Sequence, residues 1–254
     1  MAQQKGNILL FVLLGIVLLF VALFVAGRLI LQPLLQKGVS QAINASATQI
    51  KNLDYSKGQV LPVSQSFSKD AGLVVGLNMG HLIIDGKQAG KLIKGEIKYL
   101  GEKPSVVFQK DSSILTIQSA DQKGEETTLH ISPTLTTTVQ IGVGAGIVDA
   151  DLNELDITAI NIAAGAGEIN VTLPRNNSVK ASLAAGAGNL KIYVPKGVGQ
   201  NVIFGQGLPT DLQLGSEYVK TEKGFQTKGY DSAKVQAEIT IGQALGGFDI
   251  QPIE

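Results

Sequence analysis

The string Gly-Ala-Gly occurs three times, at Gly144–Gly146, Gly165–Gly167 and Gly186–Gly188, each 21 residues after the last. The surrounding apolar residues keep the same period: Val139, Ile160 and Ala181 share one column, and Ile141, Ile162 and Leu183 the next. Val143, Ala164 and Ala185 form a third, and beyond the glycines the columns resume with Val148, Ile169 and Leu190, then Ala150, Val171 and Ile192. A fixed period near 20 residues, built from alternating positions, predicts stacked β-coils, because one such unit cannot cover its own apolar side.

Within a unit, Ile160, Ile162 and Ala164 alternate with Asn161 and Ala163, the period of a strand with one buried face. After the glycines Ile169, Val171 and Leu173 take over, so the apolar positions change from even to odd numbers. The chain must turn at the glycines for both arms to face one interior. Gly144, Gly146, Gly165, Gly167, Gly186 and Gly188 are therefore read as structural corner residues, suited by access to φ > 0 and by close backbone approach. Pro174 and Pro195, again 21 apart, end the second arm. Stacking at about 4.8 Å predicts parallel pairing of successive coils and a polar exterior of mixed sign. A phosphate-cradling loop is the competing reading of Gly-Ala-Gly. It lacks both Gly-x-Gly-x-x-Gly and a following Gly-Lys-Ser/Thr, and strand patterning comes next.

Formal net charge is zero, so nothing in the composition points to a nucleic-acid partner, which would need a basic face. Cysteine is absent, so there is no disulfide framework, thiolate nucleophile or lipobox. Tryptophan is also absent, which weakens a stacking platform for sugars or bases.

The uncharged run Ile8–Gly27 would extend about 30 Å as a helix, enough to cross the hydrocarbon core of a bilayer. It is read as a single uncleaved transmembrane helix after a short tail, residues 1–7. A cleaved signal peptide, with Val25-Ala26-Gly27 the best cleavage site, is the alternative. Lys5 on one side against Arg28 and Lys37 on the other makes the positive-inside count slightly adverse. The low-charge body, rich in Ser, Thr, Asn and Gln, suits an extracytoplasmic domain, and the β domain is expected outside the cell membrane. Residues 28–70 are expected to form a juxtamembrane helix over Leu34–Leu53 and a linker over Tyr55–Ser68, with the β domain over 71–254.

Leu73, Val75, Leu77 and Met79 lead to Gly80 and then Leu82 and Ile84, a degenerate arm–corner–arm unit. Leu115 with Ile117 and Leu129 with Ile131 predict further strands. Asn201–Gly229 loses the register, and Val235–Ile241 with Phe248–Ile250 predicts a closing unit.

Leu77–Gln118, the three Gly-Ala-Gly units and Gly229–Ile250 together resemble the bacterial toast-rack domains, similar to the C-terminal domain of LiaF-type cell-wall-active-antibiotic response proteins. The resemblance covers Ala71 to the C-terminus. It implies a β-solenoid-like module, often membrane-tethered and linked to envelope-stress signalling, and supplies no catalytic residues. The chain departs from LiaF in having one membrane segment where that protein has several.

Other constellations carry little chemistry. Asp149, Asp151 and Asn153 resemble the start of a calcium loop, but Glu154 and Ile160 stand where Gly and Glu are required. Weak calcium binding with Glu154 or Asp156 is the alternative. His81 and His130 lack zinc-ligand spacing, and Ser66–Lys69 matches Ser-x-x-Lys by chance. Asp211, Glu217, Lys220 and Glu222 are the carboxylates and amines that a polysaccharide-cleaving groove would need. The expectation is a non-catalytic binding or scaffold module in envelope stress or organisation, with no cofactor, no metal and no nucleic acid. Its partners are the lipid bilayer through Ile8–Gly27 and an unidentified envelope protein. A surface adhesin or glycan-binding module is the alternative, and a β-helical polysaccharide enzyme the third reading.

Overall fold

The computed structural model of the chain describes residues 50, 52–68, 70–88, 90–205 and 216–254. The transmembrane reading of Ile8–Gly27, the tail before it and nearly all of the juxtamembrane helix fall outside these residues. Among the described residues no helix is long and apolar enough to cross a membrane.

Among the described residues fourteen strands follow in chain order: β1 (Gln59–Ser66), β2 (Ala71–Asp85), β3 (Leu92–Tyr99), β4 (Ser105–Gln109), β5 (Ile114–Gln118), β6 (Glu125–Ile131) and β7 (Thr137–Asp151), then β8 (Ile157–Thr172), β9 (Val179–Pro195), β10 (Val198–Phe204), β11 (Tyr218–Lys220), β12 (Gly224–Thr227), β13 (Val235–Leu245) and β14 (Phe248–Ile253). The three Gly-Ala-Gly units are β7, β8 and β9. Each passes its corner as one continuous strand, pairing in parallel with its neighbour on both sides of the glycines.

The registers reproduce the apolar columns. Val139 faces Ile160, which faces Ala181; Val148 faces Ile169, which faces Leu190. β2 joins the same ladder, with Leu73 opposite Val139 and Gly80 opposite Gly146. Burial changes parity at the corner: Ile160, Ile162 and Ala164 are buried before it, and Ile169, Val171 and Leu173 after it. Both arms thus bury one side, and their apolar side chains merge into a single core.

The glycines are required mainly by contact between coils. A Cβ on Gly144, Gly165 or Gly186 would lie 2.5 Å, 2.6 Å or 2.7 Å from the carbonyl oxygen of Asn78, Gly144 or Gly165. In the neighbouring column, Gly146, Gly167, Gly188 and Gly246 would each drive a Cβ into the carbonyl of the glycine before, starting from Gly80. Of the six corner glycines only Gly167 has positive φ, at 136°. Access to φ > 0 therefore explains one position, and close stacking explains the columns.

Stack order differs from chain order. β5 pairs with the first arm of β2 and β6 with its second, so these two strands form the coil outside β2. Antiparallel β4 and β3 then cap the two arms. At the other end β13 and β14 continue the two arms of β9, and β10 extends the first arm in parallel before the β11–β12 hairpin. The irregular region after Asn201 thus begins as a modified coil.

One boundary moves. Tyr55–Ser68, read as a linker, carries β1, which pairs with β3 over its whole length and buries Val63 in the core. The folded domain starts upstream of Ala71. Pro62 sits in β1 and Pro252 in β14, both outermost strands, where a missing donor costs nothing and discourages further pairing.

Two substitution pairs test this register. Ile162 is fully buried and Asn161 exposed. Ile162→Asp should cost about 4 kcal/mol or more and unfold the domain, whereas Asn161→Asp should stay within about 0.5 kcal/mol, by thermal denaturation. Gly167→Ala should cost about 3 kcal/mol or more, while Gly142→Ala, whose Cβ would meet nothing within 4 Å, should be neutral.

Candidate functional site

Because the ladder is in strict register, outward side chains of the second arm line up in rows across the coils. One row is Asp149, Asn170 and Lys191; the next is Asp151, Thr172 and Tyr193. With Asp85, Lys87 and Glu168 they line an open concavity of about 420 Å³. Its polar side chains come from β2, β7, β8 and β9 and the turn after β2.

The site is cross-linked internally. His81 Nε2 lies 2.6 Å from Asp149 Oδ2, and Asn170 Nδ2 donates to Asp149 Oδ1 at 2.7 Å. His130 Nδ1 lies 2.6 Å from Asp85 Oδ1, and Lys87 Nζ pairs with Asp85 Oδ2 at 2.9 Å. Lys191 Nζ approaches Glu168 Oε1 at 3.3 Å. Burial works to raise the Asp85 carboxyl, but hydrogen bonds from Lys87 and His130 outweigh it and hold the group below the ordinary carboxylate value. The same contact raises Lys87, and Glu168 raises Lys191. These pairs fix side-chain direction before any ligand arrives, and a bonded carboxylate still has lone pairs to offer.

Both histidines have carboxylate partners that their spacing in the chain did not suggest. His81 and Asp149 meet because β2 and β7 pair with His81 opposite Ile147, two residues from Asp149. His130 and Asp85 face each other directly across β6 and β2. The register of two distant strands was the missing signal.

Among the described residues no group of three or more His, Cys, Asp or Glu side chains is placed to hold a metal ion. The calcium-loop residues are engaged elsewhere: Asp156 accepts from Thr136 Oγ1 at 2.6 Å, and Glu154 pairs with Arg175 at 3.3 Å. The corner glycines lie along the edge between the arms and do not line the concavity. Glu217, Lys220 and Glu222 are exposed on and beside the β11–β12 hairpin, while Asp211 lies outside the described residues.

A different titratable group is buried at the end of the stack. Glu125 is 5% exposed, accepts from Ser119 Oγ through Oε2, and among the described residues finds no partner for Oε1. Burial pushes its carboxyl up, against the Ser119 hydrogen bond and with help from the Asp121 charge. The nearby Tyr55 phenol is pushed up to about 12, first by burial and then by Glu126 and Glu125.

A parallel coil stack carrying a preformed polar concavity defines a β-solenoid-like surface module. The chain belongs to the toast-rack family: the profile of the N-terminal domain of toast_rack (DUF2154) matches residues 44–193. No curated protein sequence matches the chain. Among solved structures, a candidate cell adhesion protein from Clostridium sporogenes ATCC 15579 superposes with a TM-score of 0.61 at 18% identity, covering 77% of this chain and 100% of that one. That likeness is one of fold. A candidate adhesin from Bacteroides fragilis NCTC 9343 is similar at a TM-score of 0.29 and 13% identity, over 76% of this chain and 97% of that one.

Because the Glu125 value is raised in the folded state, the group favours folding more as pH falls through that value and less above it. Glu125→Gln should remove this slope. The expected outcome is a variant more stable than the wild type at pH 8, with the gain shrinking as pH falls, read by thermal unfolding across that range.

Proposed function

We propose that this protein is a non-catalytic binding module, held at the bacterial cell membrane by a single helix over Ile8–Gly27, with its β domain outside. Its work there is to dock an envelope component in the stress response or in envelope organisation. The observation that carries this reading is the concavity on the second arm. Four successive coils contribute side chains to it, and internal bonds hold several of them in place. A rigid scaffold with polar groups at fixed intervals suits recognition more than turnover. The apolar run Ile8–Gly27 supports the tether.

A surface adhesin or glycan-binding module is the second reading. It shares the tethered architecture, and the fold likeness to the candidate cell adhesion protein favours it.

The test is photocrosslinking of the full chain in its native membrane, with a photoreactive residue at Thr172 and capture read by mass spectrometry. A captured membrane regulator supports the stress-response role, and captured wall polymer the role in envelope organisation. Captured surface protein moves the assignment to the adhesin class. A soluble product beginning near Arg28 removes the tether from the proposal.

A further inference from the structure

We infer that the second-arm concavity is a binding site for an extended neutral polysaccharide lying along the stacking axis, with about one sugar unit per coil. This rests on the binding-module reading and adds the ligand class, the direction and the contact residues. In each of the two rows the polar groups recur from coil to coil at the interstrand spacing of about 4.8 Å. That interval is close to the length of one pyranose unit in an extended chain. A peptide strand laid the same way presents one side chain per face about every 6.6 Å and falls out of step after two coils.

The chemistry of the rows fits a polyol. Asp149 and Asp151 accept, Lys191 and the Asn170 Nδ2 group donate, and the Thr172 hydroxyl and Tyr193 phenol do both, as sugar hydroxyls do. The Tyr193 ring and the Lys191 stem supply apolar surface for the C–H face of a pyranose. Charge selects among polymers. The carboxylates Asp85, Asp149, Asp151 and Glu168 outnumber Lys87 and Lys191, which opposes a polyphosphate or polyuronate. Both lysines lie among the carboxylates, which opposes a polybasic peptide. An uncharged chain meets neither obstacle.

Many weak contacts at one spacing make affinity depend on ligand length. The experiment is calorimetric titration of the full chain in mild detergent with neutral cello-, chito-, xylo- and manno-oligosaccharides of one to six units. At least one series should bind, with affinity rising to about four units and then levelling as the rows are filled. Asn170→Ala and Tyr193→Ala should each weaken the hexamer about tenfold. Thr172→Ala, a smaller truncation, should weaken it less. Ser182→Ala, outward on the other arm, should leave it unchanged, with all four variants still unfolding as one cooperative domain.

Absence of binding in every series overturns the inference, as does affinity independent of length or an equal loss in Ser182→Ala. Tight binding of an oligolysine peptide with no oligosaccharide bound also overturns it. If the glycan fails while Thr172 still crosslinks to an envelope protein, the ligand class falls and the binding-module reading stands. If both fail, both fall.

Discussion

Close contact between a glycine and the carbonyl oxygen of the coil before it governs this domain. In the column Gly80, Gly146, Gly167, Gly188 and Gly246, every added Cβ would point into the backbone of the neighbouring coil. A side chain there would hold adjacent coils apart beyond the distance at which parallel strands bond. Because the same strands pair on both sides of the corner, that separation would cost bonds on both arms at once. The same contact explains strand length. β7 and β9 extend over 15 and 17 residues since the glycines let the sheet bend without ending.

A corner fixed this tightly transmits register to both outer faces. On the first arm, one row reads Gly76, Gly142, Ala163, Ala184 and Gly242, small residues that leave a smooth surface. On the second arm the corresponding rows carry carboxylates, amides and amines, bonded to one another across coils. The core requirement is the same on both sides, so it cannot account for this difference. Outward residues are constrained only by solubility and by what they touch. The first arm also carries a polar row, Gln140, Asn161, Ser182 and Thr240, but those groups are uncharged; the charged groups bonded across coils on the second arm are the structural basis for assigning recognition there.

The 21-residue columns were legible because a constant offset maps sequence directly onto contact. β2 was legible as a degenerate copy, since its own parity switch falls at Gly80. Stack order was not legible. β5 and β6 reach β2 with offsets that no other strand pair repeats among the described residues, and alternation alone cannot say which edge a strand will join. β1 escaped for a different reason. It is an outermost strand with only Val63 fully buried, so its composition is that of a polar linker. The histidine–aspartate pairs depend on that same unrepeated geometry between β2 and its partners. What the repeat determines can be read in advance; what a single non-local pairing determines cannot.

The end of the stack shows the same rule from its exception. Each glycine Cβ points toward the coil before it, so the first coil in each column is relieved of the constraint. Those places are taken by Asn78 and Glu125. Ser119 joins them, accepting from the Asn78 backbone N–H at 3.2 Å and donating to Glu125, while Asn78 Nδ2 donates to the Asp121 carbonyl at 3.0 Å. The next inward position carries the same mark. Thr127 is fully buried in the row that holds Leu82, Val148, Ile169 and Leu190, and among the described residues its hydroxyl finds no partner. Glu125 and Thr127 lie on β6, where the parallel stack gives way to antiparallel β3, and Asn78 lies one coil inward on β2. A solenoid must change its chemistry to stop, because an interior copied to the last coil would leave both an open ladder and an open apolar end. In this chain the stop is made from hydrogen-bonding side chains, and a raised carboxyl is its energetic trace.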